Sequence, residues 1–326
     1  MSGYLGRVRL LIAPDKLKGT YTAAQAAAAL AHGWRSQRPG DEIELVPLAD
    51  GGEGTAAALA AARGGRWRTV PAHDAYGRPI DARYAKLASG EAALDVAEAC
   101  GMWRVSDLEP DPVSATSFGA GELIRHAIGG GATRVYAGVG GTATTDGGEG
   151  LRRALRRVRD GVDLVAVIDV DNPLLGTHGA VAVYGPQKGV TPETAPELER
   201  RIAALGLSTA DRPGAGAGGG IGAMLMELGA TPVRGAQFVL DEVGFDDRLA
   251  GAALCITAEG RIDEQTLHGK VVAAVAERCR AAGVPCIAVG GQVGPSAAHA
   301  LEALGVRTLE QGDLELAGAE LAAGIA

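Results

Sequence analysis

Residues 8–54 read VRLLIAPDKLKGTYTAAQAAAALAHGWRSQRPGDEIELVPLADGGEG. The apolar run 8–13 predicts a buried strand. Thr22 and Gln25 stand at the spacing of a capping box, and the Ala-rich stretch that follows to Arg35 predicts a helix ended by Pro39-Gly40. Residues 43–48, IELVPL, predict a second strand, and the turn Asp50-Gly-Gly-Glu-Gly54 leads into another helix from Thr55. Strand, helix, strand, helix is the order of a parallel sheet covered by helices.

Further along, between about 66 and 98, the texture changes. WRTVPA, IDARYAKL and EAALDVAE are short segments separated by Tyr76-Gly77 and Ser89-Gly90, which predicts hairpin strands in a different layer. Strands at 134–139 and 163–170 frame the glycine-rich stretch 138–150, and 191–213 reads as helix and then loop. Residues 214–222 are nearly all Gly and Ala. From 253 the alternation returns: strand 253–258, helix 270–282, strand 285–290, helix 295–304. The expected fold class is therefore α/β, with one domain built from 1–65 and 235–326 and a second α/β domain, 66–234, inserted in it. A length of 326 residues suits two domains.

The net charge of −8 argues against a nucleic-acid partner, because a phosphate backbone asks for a basic surface. The single basic run, Arg152 to Arg159, reads as a solvated helix face. Cys100, Cys255, Cys279 and Cys286 form no C-x-x-C pair, so neither a zinc site nor a disulfide framework is indicated, and buried free thiols are expected. No apolar run near the start is long enough for a signal peptide, and none approaches the ~18 residues of a membrane span. A cytoplasmic protein is expected.

Polar, glycine-rich loops recur where strands should end, the place where open α/β sheets bind ligands. Lys18 lies in the first, and taken alone it reads as a solvated turn lysine. Asp50 and Glu53 in the second suit a Mg²⁺ ligand or hydroxyl-binding role as well as they suit helix capping. Gly138-Val-Gly-Gly-Thr-Ala-Thr-Thr-Asp146-Gly-Gly148 contains G-x-G-x-x-A, and Gly214 to Gly219 contains G-x-G-x-x-G. Neither has the strand–turn–helix context of a dinucleotide fingerprint, and no P-loop is present. Asp169, Asp171 and Asn172 close the strand DLVAVIDV and offer oxygen ligands and a base. Lys188 sits in the turn Gly185-Pro-Gln-Lys-Gly189, where a long cation has no evident core role. Glu259, Arg261 and Asp263 follow ALCIT, with Lys270 at the next helix start. Together these loops fit a cleft that handles phosphate and Mg²⁺.

The segments IAPDKLKGTYTAAQAA, PLADGGEGT, ATSFGAGELIRHA, GVGGTATTDGG, IDVDNPLLGTHGA, YGPQKG, PGAGAGGGIGAML and ITAEGRIDEQTLHGK, in that order along nearly the whole chain, resemble the class I glycerate kinases, the bacterial glycerate 2-kinase family. The resemblance implies a flavodoxin- or Rossmann-like parallel-sheet domain carrying an inserted α/β domain, with the active site in the cleft. It implies phosphorylation of D-glycerate by ATP to 2-phosphoglycerate, assisted by Mg²⁺. It carries over to Asp169 as the base, with Lys18 and Lys188 as catalytic cations. Asp50, Glu53, Asn172 and Asp263 are expected at the substrate, and Gly140, Gly141, Thr142 and Asp146 at the nucleotide. Asp50, Asp146 and Glu259 are expected to hold Mg²⁺. ATP and D-glycerate are the expected partners, with no nucleic acid and no membrane; a homodimer is left open. The chain departs from the family pattern at Lys16-Leu17, Thr142, Thr145 and Ala258, and in a short segment 151–163. An NAD-dependent hydroxy-acid oxidoreductase and a non-catalytic metabolite-binding protein are the alternative readings.

Overall fold

The computed structural model describes residues 7–267 and 270–324. The first six residues, part of the stretch judged too short for a signal peptide, lie outside the described residues, as do His268 and Gly269 of the ITAEGRIDEQTLHGK segment. The chain divides into two compact units, Met1–Asp50 with Ala236–Ala326, and Gly51–Gly235. Its strands are β1 (Arg9–Ile12), β2 (Glu42–Leu45), β3 (Arg66–His73), β4 (Pro79–Lys86), β5 (Ala92–Asp95), β6 (Arg134–Gly138), β7 (Asp163–Ile168), β8 (Thr231–Arg234), β9 (Leu254–Ile262), β10 (Cys286–Val293) and β11 (Val306–Glu310).

The first unit holds an all-parallel sheet in the order β11-β10-β9-β1-β2. Counted along the chain within this unit, that order is 2-1-3-4-5, the flavodoxin-like winding. Apolar side chains fill the space between sheet and helices: Leu10, Ile12, Ile256 and Val289 pack with Leu30 and Trp34 of the helix Ala23–Gln37. That helix begins as its sequence predicts. The Gln25 N–H donates to Thr22 Oγ1 (3.2 Å) and the Thr22 N–H to Gln25 Oε1 (2.9 Å), so two otherwise orphaned donors are satisfied reciprocally. It crosses the helix Leu314–Ala323 at two glycines. A Cβ on Gly33 would lie 1.8 Å from the Glu315 carbonyl oxygen, and one on Gly318 would lie 2.2 Å from that of Leu30.

The second unit holds a six-stranded sheet, β3-β4-β5-β6-β7-β8. β3, β4 and β5 pair antiparallel, as the hairpin signals predict, and β5 to β8 run parallel. The first crossing between units lies at Asp50/Gly51, not at 65/66. The helix Thr55–Ala62 packs on β4, β5 and β6 and so belongs to the inserted unit. Asp95, at the end of β5, fixes its start by accepting the Gly54 and Ala56 N–H groups, both at 2.9 Å. The basic run is not one helical face. Its helix, Glu149–Leu155, stops before Arg156, which is the one non-glycine among the described residues with positive φ (63°). β7 ends at Ile168, so Asp169 stands in the following loop. Among the described residues no helix is long and apolar enough to cross a membrane.

The helix crossing generates a stability test. Gly33→Ala drives a methyl into a backbone carbonyl and is expected to cost about 1–3 kcal/mol, as overpacking does. Gly40, with nothing within 4 Å of an added Cβ, is the control. Denaturant melts should show a clear loss for Gly33→Ala and little change for Gly40→Ala.

Candidate active site

Parallel strands bring the starts of their loops to one end of the sheet. In the first unit that end gathers acids. Asp15 follows β1, Asp50 follows β2 by a short loop and Glu259 lies on β9; all three are buried. β1 and β9 are neighbours at the point where the winding reverses, the place where such sheets take ligands. The Asp15 N–H donates to the Ala258 carbonyl (2.9 Å), which ties the loop to β9. Lys16 Nζ donates to Asp50 Oδ1 at 3.2 Å and lies 3.8 Å from Asp15 Oδ1. Lys270 Nζ and Thr266 Oγ1 donate to the two oxygens of Glu259, at 2.9 and 3.0 Å. Burial, with repulsion from Asp50 and Glu259, pushes Asp15 up to about 8 despite Lys16. Burial works against the Lys270 ammonium, yet Glu259, Asp50 and Asp263 together raise its pKa.

Of the expected residues, Asp50 and Glu259 thus come together. Asp263 is half-buried beside them in sequence, its N–H donating to Thr266 Oγ1 (3.1 Å) and its carboxylate 3.3 Å from the exposed Arg261. Lys18 is exposed, in a turn closed by the Leu17–Tyr21 bridge. The lysine at the acids is Lys16, two residues earlier. Asp15, Lys16 and Thr266 are additions that sequence reasoning missed, although Asp15 and Lys16 stand inside the segment that suggested Lys18. The set is all oxygen, the donor type a hard divalent cation takes, although the three carboxylates are not gathered within 4.8 Å of one another and would have to close in on the ion.

In the second unit the loop after β6 carries the glycines. Lys188, expected as a catalytic cation, is buried beneath it. Its Nζ donates to Thr142 Oγ1 at 3.1 Å and to the Thr144 carbonyl at 2.7 Å. Burial lowers its pKa to about 8, against the opposing pull of Cys100 and Asp146. Asp146 has a different task from the metal ligand expected of it. Its carboxylate accepts the N–H groups of Ser117 (2.8 Å), Gly148 (3.0 Å) and Gly150 (3.1 Å) and the Ser117 hydroxyl (2.8 Å). It clamps the loop to the start of two helices. The Gly140 N–H is engaged with the Gly51 carbonyl at 3.4 Å. Gly141 makes room for Glu53, whose Oε1 would lie 2.6 Å from a Cβ at that position.

The second glycine run supports this loop. Gly218, Gly219 and Gly220 all have positive φ, and a Cβ on Gly219 would sit 1.9 Å from the Thr144 carbonyl oxygen. These glycines serve backbone-on-backbone packing, which explains the fingerprint match without a dinucleotide. The Thr145 hydroxyl is buried with no hydrogen-bond partner among the described residues.

After β7, the Asn172 amide is used on both sides: Nδ2 donates to the His178 carbonyl (2.9 Å) and Oδ1 accepts from the Tyr184 hydroxyl (2.5 Å). Burial, then the nearby Asp169 and Asp171 charges, raise Tyr184 to about 12. Tyr184 is therefore an uncharged donor next to Asp169. It was quoted in the sequence for its neighbours and not for itself. Asp171 pairs with Arg234 at 3.0 Å in the open.

The model of the glycerate kinase family matches residues 10–159 and 153–314. The chain is 36% identical to the glycerate kinase of Bacillus subtilis, over 88% of this chain and 85% of that one. It is 35% identical to the glycerate 2-kinase of Escherichia coli, over 88% and 86%. A crystal structure of a putative glycerate kinase 2 from Salmonella typhimurium is similar with TM-score 0.78 and 32% identity, covering 98% of both chains.

Two pH dependences follow. The folded chain holds the Asp15 proton more tightly than the unfolded chain does, so this group's contribution to stability falls as pH rises from about 4 to about 8. In EDTA, Asp15→Asn should flatten that slope and melt higher than the parent at pH 8; an unchanged slope would show that Asp15 titrates normally. For Lys188 the unfolded chain binds the proton more tightly, so its burial penalty is relieved as pH rises from about 8 to about 10.5. A ¹³Cε resonance of Lys188 titrating near 8 is expected, and Lys188→Ala should lower the melting temperature as well as activity.

Proposed function

Because the chain belongs to the glycerate kinase family, we propose that it transfers the γ-phosphoryl group of ATP to the 2-hydroxyl of D-glycerate. The observation that carries this reading is the pairing of two kinds of site in one chain. One is a buried acid cluster at the winding switch of the first sheet; the other is a glycine loop backed by a buried lysine on the second. Phosphoryl transfer makes these demands, since it is catalysed by positioning and charge neutralisation with little covalent chemistry by the protein.

Asp15, Asp50 and Glu259 would hold Mg²⁺, which when bound neutralises charge on the nucleotide phosphates. Lys16 keeps Asp50 oriented, and Lys270 with Thr266 does the same for Glu259. The loop around Gly141, Thr142 and Thr145 serves the phosphates, its shape held from below by Lys188 and Asp146. Lys18, exposed on its turn, meets an anionic group of substrate. Asp169 takes the proton of the attacking hydroxyl, while Tyr184 and Asn172, locked to each other, position glycerate beside it. Glu53 and Asp263 stay assigned to glycerate's hydroxyl groups.

The test is ADP release with ATP, Mg²⁺ and D-glycerate, each omitted in turn, with ³¹P NMR of the product. 2-Phosphoglycerate is expected. Oxidation of a hydroxy acid with NAD⁺, or glycerate binding without turnover, would replace the reading, and 3-phosphoglycerate would correct its regiochemistry. Asp169→Asn keeps size and hydrogen-bonding capacity but cannot take a proton, and loss of a general base costs about 10²–10⁴-fold in rate. That loss should persist across a magnesium titration, with ATP affinity little changed; recovery at high Mg²⁺ would make Asp169 a metal ligand instead.

A further inference from the structure

The opposite end of the first unit's sheet carries a second cluster. Cys255 is the second residue of β9 and Cys286 the first of β10, and the two are register partners in the parallel pair. Cys279 lies on the helix Val271–Ala282. No local spacing joins the three, yet their sulfur atoms all lie within 4.8 Å of one another, and all three side chains are buried. Among the described residues this is the one group of three or more His, Cys, Asp or Glu side chains whose ligand atoms all lie that close to one another.

Three thiolates bound about 2.3 Å from one ion stand about 4.0 Å apart when the ion lies in their plane, so these sulfurs need only a small inward shift. A core cysteine packs as a small apolar side chain, and one or two in contact would need no other account. Here there are three, and two of them, Cys279 and Cys286, also line a surface pocket of about 380 Å³ with Arg280, Pro285 and Leu304. That pocket gives an ion a way in. The donor set chooses among ions. Three sulfurs with no fourth His, Cys, Asp or Glu donor gathered with them among the described residues leave zinc short of its tetrahedral set, whereas copper(I), soft and content with three ligands, is suited. Cys255 is four residues before Glu259 on the same strand, about 13 Å away at the usual rise, so the site is separate from the acid cluster.

We propose that Cys255, Cys279 and Cys286 form a three-thiolate site for one copper(I) ion. Each thiol gives up its proton to solvent on binding, and the copper enters and stays as copper(I), with no change of oxidation state.

The test uses the full chain, reduced and free of oxygen, titrated with copper(I) against a chromogenic copper(I) chelator. One copper retained per chain is expected, with X-ray absorption showing three sulfur neighbours. Cys279→Ser and Cys286→Ser should each lose that retention, while Cys100→Ser, in the other unit, keeps it. Thermal melts identify any variant that has failed to fold, and the stoichiometry and sulfur count of the parent chain decide independently of the variants. Copper lost entirely to the chelator, fewer than three sulfurs, or retention unchanged in both folded variants would overturn the proposal. So would tighter binding of zinc(II) in a parallel titration.

Discussion

Negative charge buried at the carboxyl end of β1, β2 and β9 is the constraint around which the first unit is arranged. A parallel sheet delivers every loop start to the same end, so acids placed after its strands are brought together whether or not they suit one another. Asp15, Asp50 and Glu259 do not. Burial and mutual repulsion hold the Asp15 proton on to about pH 8, and Lys16 and Lys270 pair with the two acids that stay ionised. Burying ionisable groups is costly even when their charges are paired, and a fold selected for stability alone would replace them with apolar packing. Such a departure from the local optimum is what a site kept for a ligand would show, in keeping with the function proposed above.

The second unit solves a problem of opposite sign. A loop rich in glycine has no stiffness of its own, and flexible amides are poor anion binders because they must be ordered on binding. Here the ordering is done in advance. Lys188 fastens the loop from below, Asp146 ties it to two helix starts, and Gly219 lets a second backbone press against it. A buried lysine at reduced pKa and an aspartate surrounded by amides are then parts of one scaffold, and the positive charge sits under the loop where an anion would lie over it.

Much of this was legible in the sequence wherever cause and effect lie close together along the chain. The capping box at Thr22, the first strands and the hairpins of β3 to β5 are short-range features, and they formed as read. The domain boundary was misplaced because the helix Thr55–Ala62 is claimed by Asp95, forty residues away, and no local pattern announces that partner. Within Asp15-Lys16-Leu17-Lys18 the sequence pointed to Lys18, while Lys16 is the lysine at the acids. The burial of Lys188 was not legible because it comes from a loop over forty residues earlier. The three cysteines were read as unrelated since their proximity arises from strand register and a helix crossing, not from spacing.

The two buried charges also set how ligands and protons are linked. A cation held by Asp15, Asp50 and Glu259 needs Asp15 ionised, so below about pH 8 it must displace a proton, and proton and cation compete for the same oxygens. A cation that binds there removes the repulsion that raised the pKa, so the same event that loads the site also relieves the strain of folding it. Lys188 works the other way: a polyanion over the loop favours its charged form and raises its pKa, so anion binding takes up a proton near the pH where cation binding releases one. In the proposed reading the two exchanges would have opposite sign. On the same reading, ligands bound at the acid cluster and at the lysine-backed loop would lower the cost of burying their ionisable groups.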